Sequence, residues 1–110
     1  MAHRDKRCRG VTEGVYVKST RRGREILIAA CDEELLGRTL MGGRVPFKVD
    51  EGFYRGDLVE LGEALELIKI GTIVNLVGKR IIEAAIGAKL VHPEAVLYFG
   101  ETPHAQIIHL

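Results

Sequence analysis

The stretch EILIAACD, residues 25–32, decides the fold of this chain. It contains an unbroken apolar run from Ile26 to Cys31. An apolar run of this length is typical of a β-strand that is buried on both faces, so we expect it to lie in the middle of a sheet. Asp32 ends the run and is a good helix N-cap, which predicts a short helix through about Leu40.

The flanking patterns predict a single α+β domain over residues 14–110. Upstream, the β-forming residues of 14–19 and a charged turn around Gly23 predict a hairpin with the central strand. Downstream, the alternation in 44–49 predicts a strand, and Pro46 places it at an edge because proline cannot donate a ladder hydrogen bond. The remaining predicted elements are a loop at 50–57, a helix at 58–90 that bends at Gly71, and strands at 95–99 and 106–109. This order favours a mixed β-sheet with helices packed mainly on one face.

Composition narrows the class of protein. The chain has 110 residues, of which 46% are hydrophobic, and its net charge is +1. These values argue against disorder and fit one small domain. No apolar stretch approaches the roughly 20 residues that span a membrane, and two Cys do not form a disulfide framework. We therefore expect a cytoplasmic protein without a membrane partner.

Charge is unevenly distributed along the chain. Residues 1–24 hold eight basic and two acidic side chains, a net charge of +6, whereas the remainder has a net charge of −5. We predict that residues 1–13 are a flexible basic N-terminal extension. A basic segment can neutralise phosphates and release counterions, or it can be a solvated tail followed by a charged turn. The candidate nucleic-acid-binding residues are Arg4, Lys6, Arg7, Arg9, Arg21, Arg22 and Arg24.

Four short motifs, taken together in order and spacing, resemble a known family. They are CDEELLG at 31–37, FYxG at 53–56, TIVNLVG at 72–78 and PHAQ at 103–106. From Val15 to the C-terminus the chain resembles the small archaeal proteins of domain-of-unknown-function family 424. That family has no established activity, so the resemblance implies an archaeal cytoplasmic source and a shared fold but no mechanism. The basic segment before Val15 looks like an extension that typical members lack.

Small residues follow one face of the predicted long helix. Gly71, Asn75, Gly78 and Ile82 recur at helical spacing, whereas the other faces are apolar, so the helix should be buried. One interpretation is close approach of a neighbouring element, with Asn75 bonded to a loop carbonyl. The other is a ligand or partner resting against the glycines, with Asn75 as the polar contact.

The PHAQ motif supplies further candidates. In an extended segment His104 and Gln106 point the same way, and a histidine can act as acid or base near neutrality. Three roles are open for His104: its side chain can form a hydrogen bond with its own loop backbone, bind a ligand, or take part in catalysis. Phe53 and Tyr54 either anchor a loop over the core or form a surface for a partner.

Cys31 and the distant His104 are the minimum pair for nucleophilic catalysis, and Asp32 is the alternative partner of His104. The acidic residues beside Cys31 raise the pKa of its thiol, however, and a free cysteine is often simply a buried apolar residue. The sequence has no CxxC or HxxxH pair and no glycine-rich phosphate loop, so we expect neither a metal nor another cofactor.

Three hypotheses for function remain. The favoured one is a non-enzymatic module that binds RNA or a ribonucleoprotein through its basic segment. The second is a protein-interaction or homo-oligomeric module that uses Gly71, Asn75 and Gly78 or the Phe53–Tyr54 loop. The third is a small enzyme that uses His104 with Cys31 or Asp32.

Overall fold

The structure is a computed structural model that describes residues 14–109, and these residues form eight strands and three helices. The strands are β1 (Val15–Arg22), β2 (Glu25–Asp32), β3 (Thr39–Leu40), β4 (Phe47–Lys48), β5 (Asp57–Val59), β6 (Ile73–Val77), β7 (Leu97–Phe99) and β8 (Thr102–Ile108). The helices are α1 (Glu51–Tyr54), α2 (Leu61–Ile70) and α3 (Lys79–Gly87). Two 3-10 turns, Glu33–Leu35 and Pro93–Ala95, complete the set.

The main sheet has six strands in the order β5-β1-β2-β6-β8-β7. Only the β2–β6 pair is parallel, so the sheet is mixed. The apolar run of β2 lies in its interior, and Ile28, Ala30 and Cys31 have no exposed surface. The sequence prediction of a central, doubly buried strand and of an α+β fold is therefore confirmed.

One face of the sheet packs against the two longer helices. Alternate residues of the strands point to this side, among them Ile28 of β2 and Leu76 of β6, and both are fully buried. Ile68 of α2 and Ile81 of α3 fill the space above them. This helix-side face carries the larger core, as expected from helices that lie mainly on one side.

The opposite face carries a smaller, separate core. Cys31 and Val77 point to it from β2 and β6, and Leu40 and Tyr54 cover them from β3 and α1. Strands β3 and β4 pair only with each other, so they form a hairpin that lies apart from the main sheet. This hairpin layer covers one end of the face and leaves the other end open.

Residues 71–78 correct the largest error of the sequence prediction. The predicted continuous helix is interrupted by β6, a strand buried beside β2. The segment from Thr72 to Val77 is apolar almost throughout, so it fits a helical period as well as a strand period, and only its β-branched content favours the strand. Gly71 and Gly78 mark the two ends of the strand rather than positions on a helix face.

Several shorter predictions were also wrong. The helix predicted from Asp32 to about Leu40 is one 3-10 turn followed by β3, and the side chain of Asp32 does not cap that turn. The edge strand predicted at 44–49 is reduced to β4 in the separate hairpin. The predicted 50–57 loop contains α1, and the last strand begins at Thr102 instead of residue 106.

The predicted basic extension, residues 1–13, lies outside the described residues. Within residues 14–109, no helix has the length and apolar character needed to cross a membrane.

Candidate functional site

We call the face of the main sheet that the β3–β4 hairpin covers the hairpin-side face. Asn75 lies at the centre of the open end of this face. Val74 and Leu76, the neighbours of Asn75 on β6, point into the helix-side core, so Asn75 points to the opposite face. The strand register places Asn75 between Ala29 of β2 and Gln106 of β8. Asn75 is half-buried and Gln106 is exposed.

His104 lies on the same face, two residues before Gln106 on β8. Its ring packs edge-on against Phe47 and Phe99, with centroid separations of 5.3 and 5.9 Å. The two phenylalanine rings stack on each other at 4.8 Å. Burial lowers the pKa of His104, so the ring is neutral at pH 7 and offers one hydrogen-bond donor and one acceptor.

Asn75, His104 and Gln106 share a further property. None of these side chains forms a hydrogen bond with any residue between 14 and 109. The sequence interpretations that tied Asn75 to a loop carbonyl and His104 to its own backbone are therefore not what the structure contains. The donors and acceptors of all three side chains are thus unpaired within the described residues. We call them the amide–imidazole group.

A mixed apolar surface continues from this group toward the end of the sheet. The next row of the register brings together Thr20, Leu27, Ile73 and Ile108. The three apolar members belong to neither core, and Ile108 is 59% exposed. The open end of the face therefore combines the amide–imidazole group with an adjacent platform of aliphatic side chains.

The β1–β2 hairpin places three arginines beside this platform. Arg22 and Glu25 close a two-residue turn, and Arg21, Arg22 and Arg24 are all exposed. None of these arginines forms an ion pair within the described residues. Glu25, the adjacent carboxylate, instead accepts a hydrogen bond from Oγ1 of Thr72 at 2.7 Å.

The glycine stripe predicted from helical spacing does not exist as a surface. Gly71 is buried against Ile28, and a Cβ atom built on Gly71 would lie 2.6 Å from Cγ1 of that residue. Gly78 is buried against Asp32 at the start of α3, and Ile82 lies within the helix-side core. Neither glycine shares an open face with Asn75.

Phe53 and Tyr54 lie on α1. Tyr54 is buried in the hairpin-side core, and burial together with the nearby Cys31 raises the pKa of its hydroxyl. Phe53 packs edge-on against Tyr54 with 37% of its surface exposed. The pair therefore anchors α1 to the sheet.

The structure does not bring the catalytic candidates together. Cys31 and Asp32 are consecutive on β2 and point to opposite faces of the sheet. Cys31 and His104 share a face, but Val77 lies between them in the register, which separates them by about 10 Å. Burial, followed by the charge of Asp32, raises the pKa of the Cys31 thiol to about 12.

Asp32 has a structural role that the sequence prediction missed. Its carboxylate accepts hydrogen bonds from the backbone N–H groups of Arg80 at 2.9 Å and Ile81 at 3.0 Å. These donors belong to the first turn of α3, so Asp32 caps that helix from a neighbouring strand. The Arg80 side chain in turn pairs with Glu34 at 2.9 Å and donates to the Gly14 carbonyl at 2.8 Å. Both carboxylate oxygens of Asp32 therefore already accept hydrogen bonds from the backbone of α3.

Other ligand chemistry is limited in the part of the chain that the structure describes. Residues 14–109 hold no group of three or more His, Cys, Asp or Glu side chains that could bind a metal ion.

The sequence analysis did not predict the Phe47–Phe99 stack beside His104, because no local pattern indicates which distant rings meet.

The chain belongs to the family described as "Protein of unknown function (DUF424)", which it matches over residues 19–110. This match confirms the resemblance drawn from the four motifs. The chain is also similar to a solved structure, the crystal structure of an uncharacterized conserved protein from Methanopyrus kandleri, with a TM-score of 0.72 and 24% identity. That similarity covers 86% of this chain and 90% of the other, and it shows the fold alone. No curated protein matches the chain.

Proposed function

We propose that this protein is a non-enzymatic module that binds single-stranded RNA on the open end of the hairpin-side face. The observation that carries the proposal is the amide–imidazole group. Its members, Asn75, His104 and Gln106, lie on two adjacent strands of one face and form no side-chain hydrogen bonds within residues 14–109.

The chemistry of these side chains suits nucleobases. A primary amide carries a donor and an acceptor side by side and can therefore match the edge of an unpaired base. A neutral imidazole adds one donor and one acceptor and can also stack on a base. Because Asn75 and Gln106 are directly opposite each other, their side chains can contact one base together.

The aliphatic part of the platform supports the same ligand. Leu27, Ile73 and Ile108 form an apolar area next to the amides, against which a splayed base can pack. An exposed sheet face of this kind suits single strands, because the bases of a duplex are stacked inside the helix and inaccessible to it.

The arginines of the β1–β2 turn supply phosphate contacts. Arg22 lies on the same face as Thr20, and Arg24 is in the turn itself. Free guanidinium groups at the border of a base-binding platform neutralise phosphates and make the affinity dependent on salt. The RNA backbone is therefore expected to pass the hairpin tip while its bases lie on the platform.

Binding, not catalysis, is proposed because neither Cys31 nor Asp32, the candidate partners of His104 in catalysis, reaches His104 on this surface. The Cys31 thiol is covered by the hairpin layer and stays protonated near neutral pH. Asp32 is on the other face and caps α3. His104 therefore acts through hydrogen bonding and ring packing.

The test is fluorescence anisotropy of a labelled single-stranded RNA of mixed sequence at low salt, with the matching duplex as competitor. We expect the wild-type protein to prefer the single strand and the Asn75→Ala/Gln106→Ala variant to bind at least about tenfold more weakly. The matched control is Glu63→Ala/Glu83→Ala, which alters exposed polar side chains of the two long helices and should not weaken binding. Absence of binding, or equal binding by the Asn75/Gln106 variant, would contradict the proposal.

A further inference from the structure

At the centre of the β7 edge of the main sheet, the backbone N–H and C=O of Tyr98 have no hydrogen-bond partner within residues 14–109. β7 pairs only with β8, and Tyr98 lies opposite Pro103. Proline has no N–H, so Tyr98 and Pro103 exchange no ladder hydrogen bonds. Because bonded and non-bonded pairs alternate in an antiparallel ladder, the bonded pairs are Leu97–His104 and Phe99–Thr102. The Pro103 carbonyl accordingly accepts from Gly78 on the β6 side. The N–H and C=O of Tyr98 therefore point away from the sheet, toward the free edge.

The side chains of β7 are unusually apolar for an exposed edge. Leu97 is 65% exposed and Tyr98 is 61% exposed. Residues 95–100, AVLYFG, contain no charge. Edge strands usually carry charge, proline or a cover that discourages pairing. The opposite edge, β5, has such protection in the exposed carboxylate of Asp57.

The neighbouring loop extends this apolar surface. Residues 41–45 pack on the β7–β8 turn, since a Cβ atom on Gly42 would meet the backbone of Gly100. Met41 and Val45 in the same loop are 64% and 68% exposed. The edge and the loop together present outward backbone groups of β7 and the aliphatic side chains of Met41 and Val45, with the exposed Arg44 between them.

We propose that the occupant of this edge is a second copy of the same chain, paired antiparallel through β7 about a twofold axis at Tyr98. Centring the pair on Tyr98 lets the two outward N–H groups and the two outward carbonyls satisfy one another. The same pairing sets Leu97 of one copy against Phe99 of the other. The free edge is thus complementary to itself, and no different partner is needed to satisfy it.

The segment that can pair is uncharged. β7 ends at Phe99 and the chain turns through Gly100 and Glu101 into β8, so only Leu97, Tyr98 and Phe99 can pair across the axis. None of these three residues carries a charge, so like charges do not face each other along the paired strands. Because β7 has only three residues, the dimer is expected to be concentration dependent, with a dissociation constant on the order of micromolar.

The test is sedimentation velocity of the full chain from about 5 to 500 μM, a range chosen to bracket micromolar affinity. We expect the mass to rise from the 12.2 kDa monomer toward twice that value. Leu97→Lys adds a charge at the edge, and Tyr98→Pro removes the outward N–H together with the exposed tyrosine ring; each should raise the dissociation constant at least about tenfold. The matched control is Ile70→Lys, because Ile70 is 57% exposed at the end of α2.

The amide proton of Tyr98 gives an independent measurement if either variant folds poorly. Its hydrogen exchange in the wild-type protein should slow as the protein concentration rises. A monomer at every concentration, a Tyr98 amide that exchanges freely throughout, or a dimer that Leu97→Lys and Tyr98→Pro leave intact would overturn the proposal. Dissociation by Ile70→Lys as well would also overturn it, because the contact would then not be specific to β7.

Discussion

Asn75 and Gln106 face each other across β6 and β8, and neither side chain forms a hydrogen bond with another residue of the described chain. An asparagine in an interior strand ordinarily lowers β-sheet stability relative to an apolar β-branched residue. The proposed RNA ligand accounts for its presence here, half-buried and without a hydrogen-bond partner within residues 14–109.

Replacing Asn75 should separate stability from binding. In Asn75→Val the strand gains a β-branched residue and loses no internal hydrogen bond, so the free energy of unfolding should stay within about 0.5 kcal/mol or rise. Affinity for single-stranded RNA should fall at the same time. Urea unfolding and anisotropy measure the two effects, and a loss of more than about 2 kcal/mol would mean that Asn75 has a structural partner.

Neutralising the three arginines at the tip of the β1–β2 hairpin should change the salt dependence of RNA binding. We expect Arg21→Ser/Arg22→Ser/Arg24→Ser to reduce the slope of log affinity against log salt by about 2, since each lost phosphate contact contributes about 0.7 for a single strand.

The matched control is Lys69→Ser/Lys79→Ser/Lys89→Ser, which removes the same charge from the helix side of the molecule. If both triple variants flatten the salt dependence equally, binding depends on overall charge and not on the hairpin tip.

Gly78→Ala should destabilise the fold strongly. Gly78 has φ +123°, which a residue with a side chain rarely adopts, and a Cβ atom there would clash with the carboxyl group of Asp32. Backbone strain and the displaced Asp32 cap together should cost about 2–4 kcal/mol in the free energy of unfolding. The larger Gly78→Val should cost at least as much.

Gly62→Ala is the control for this effect. Nothing lies within 4 Å of a Cβ atom at Gly62 in α2, so the substitution should stabilise by up to about 1 kcal/mol. Chemical unfolding of both variants checks the pair, and similar stabilities for Gly78→Ala and the wild-type protein would show that Asp32 does not occupy the place assigned to it.

Asp32 should give a pH-dependent contribution to stability. Burial raises the pKa of this carboxyl in the folded state, against the opposing effect of the Arg80 and Ile81 N–H groups. The folded state then holds the proton more tightly than the unfolded state. The contribution of Asp32 is therefore largest below its unfolded pKa of about 4 and decreases as the pH rises through the higher folded value.

Asp32→Asn removes this titration. We expect the stability advantage of the wild-type protein over Asp32→Asn to shrink between about pH 3.5 and pH 7. Urea unfolding across this range measures the difference, and an advantage that grows with pH would contradict the raised pKa.

The Cys31 thiol should be inert in the folded protein. In a Cys8→Ser background, Cys31 is the sole thiol. Because its pKa is raised to about 12 and the side chain has no exposed surface, iodoacetamide at pH 8 should modify it only after unfolding. Mass spectrometry follows the reaction, and rapid modification under native conditions would restore the nucleophile hypothesis.

The parts of the fold that local sequence determines were predictable. The apolar run of β2 has one satisfactory environment, the interior of a sheet, and the same-face orientation of His104 and Gln106 follows from the two-residue period of a strand. The helical spacing of Leu61, Leu65 and Ile68 likewise located α2. Each of these features is set by residues that are close in sequence.

The sequence predictions were wrong where contacts between residues far apart in the sequence determine the structure. Residues 72–77 are apolar on all sides, so their period could not distinguish a helix from the strand that forms beside β2. Asp32 has the local pattern of an N-cap, but it caps α3, whose first turn is 48 residues further along the chain. The candidate site depends on the β6–β8 register, which no local pattern specifies. The sequence analysis named Asn75 as a polar contact, but it did so from a helical stripe that the structure does not contain.

Side-chain amide resonances test the proposed function most directly. A ¹⁵N-labelled sample titrated with single-stranded RNA reports the NH₂ groups of Asn75 and Gln106 separately from the rest of the protein. We predict that both pairs of resonances shift in step with binding, together with the backbone amides of β6 and β8, whereas the amides of α2 and α3 stay in place. Saturation with RNA that leaves the Asn75 and Gln106 resonances unmoved would contradict the account.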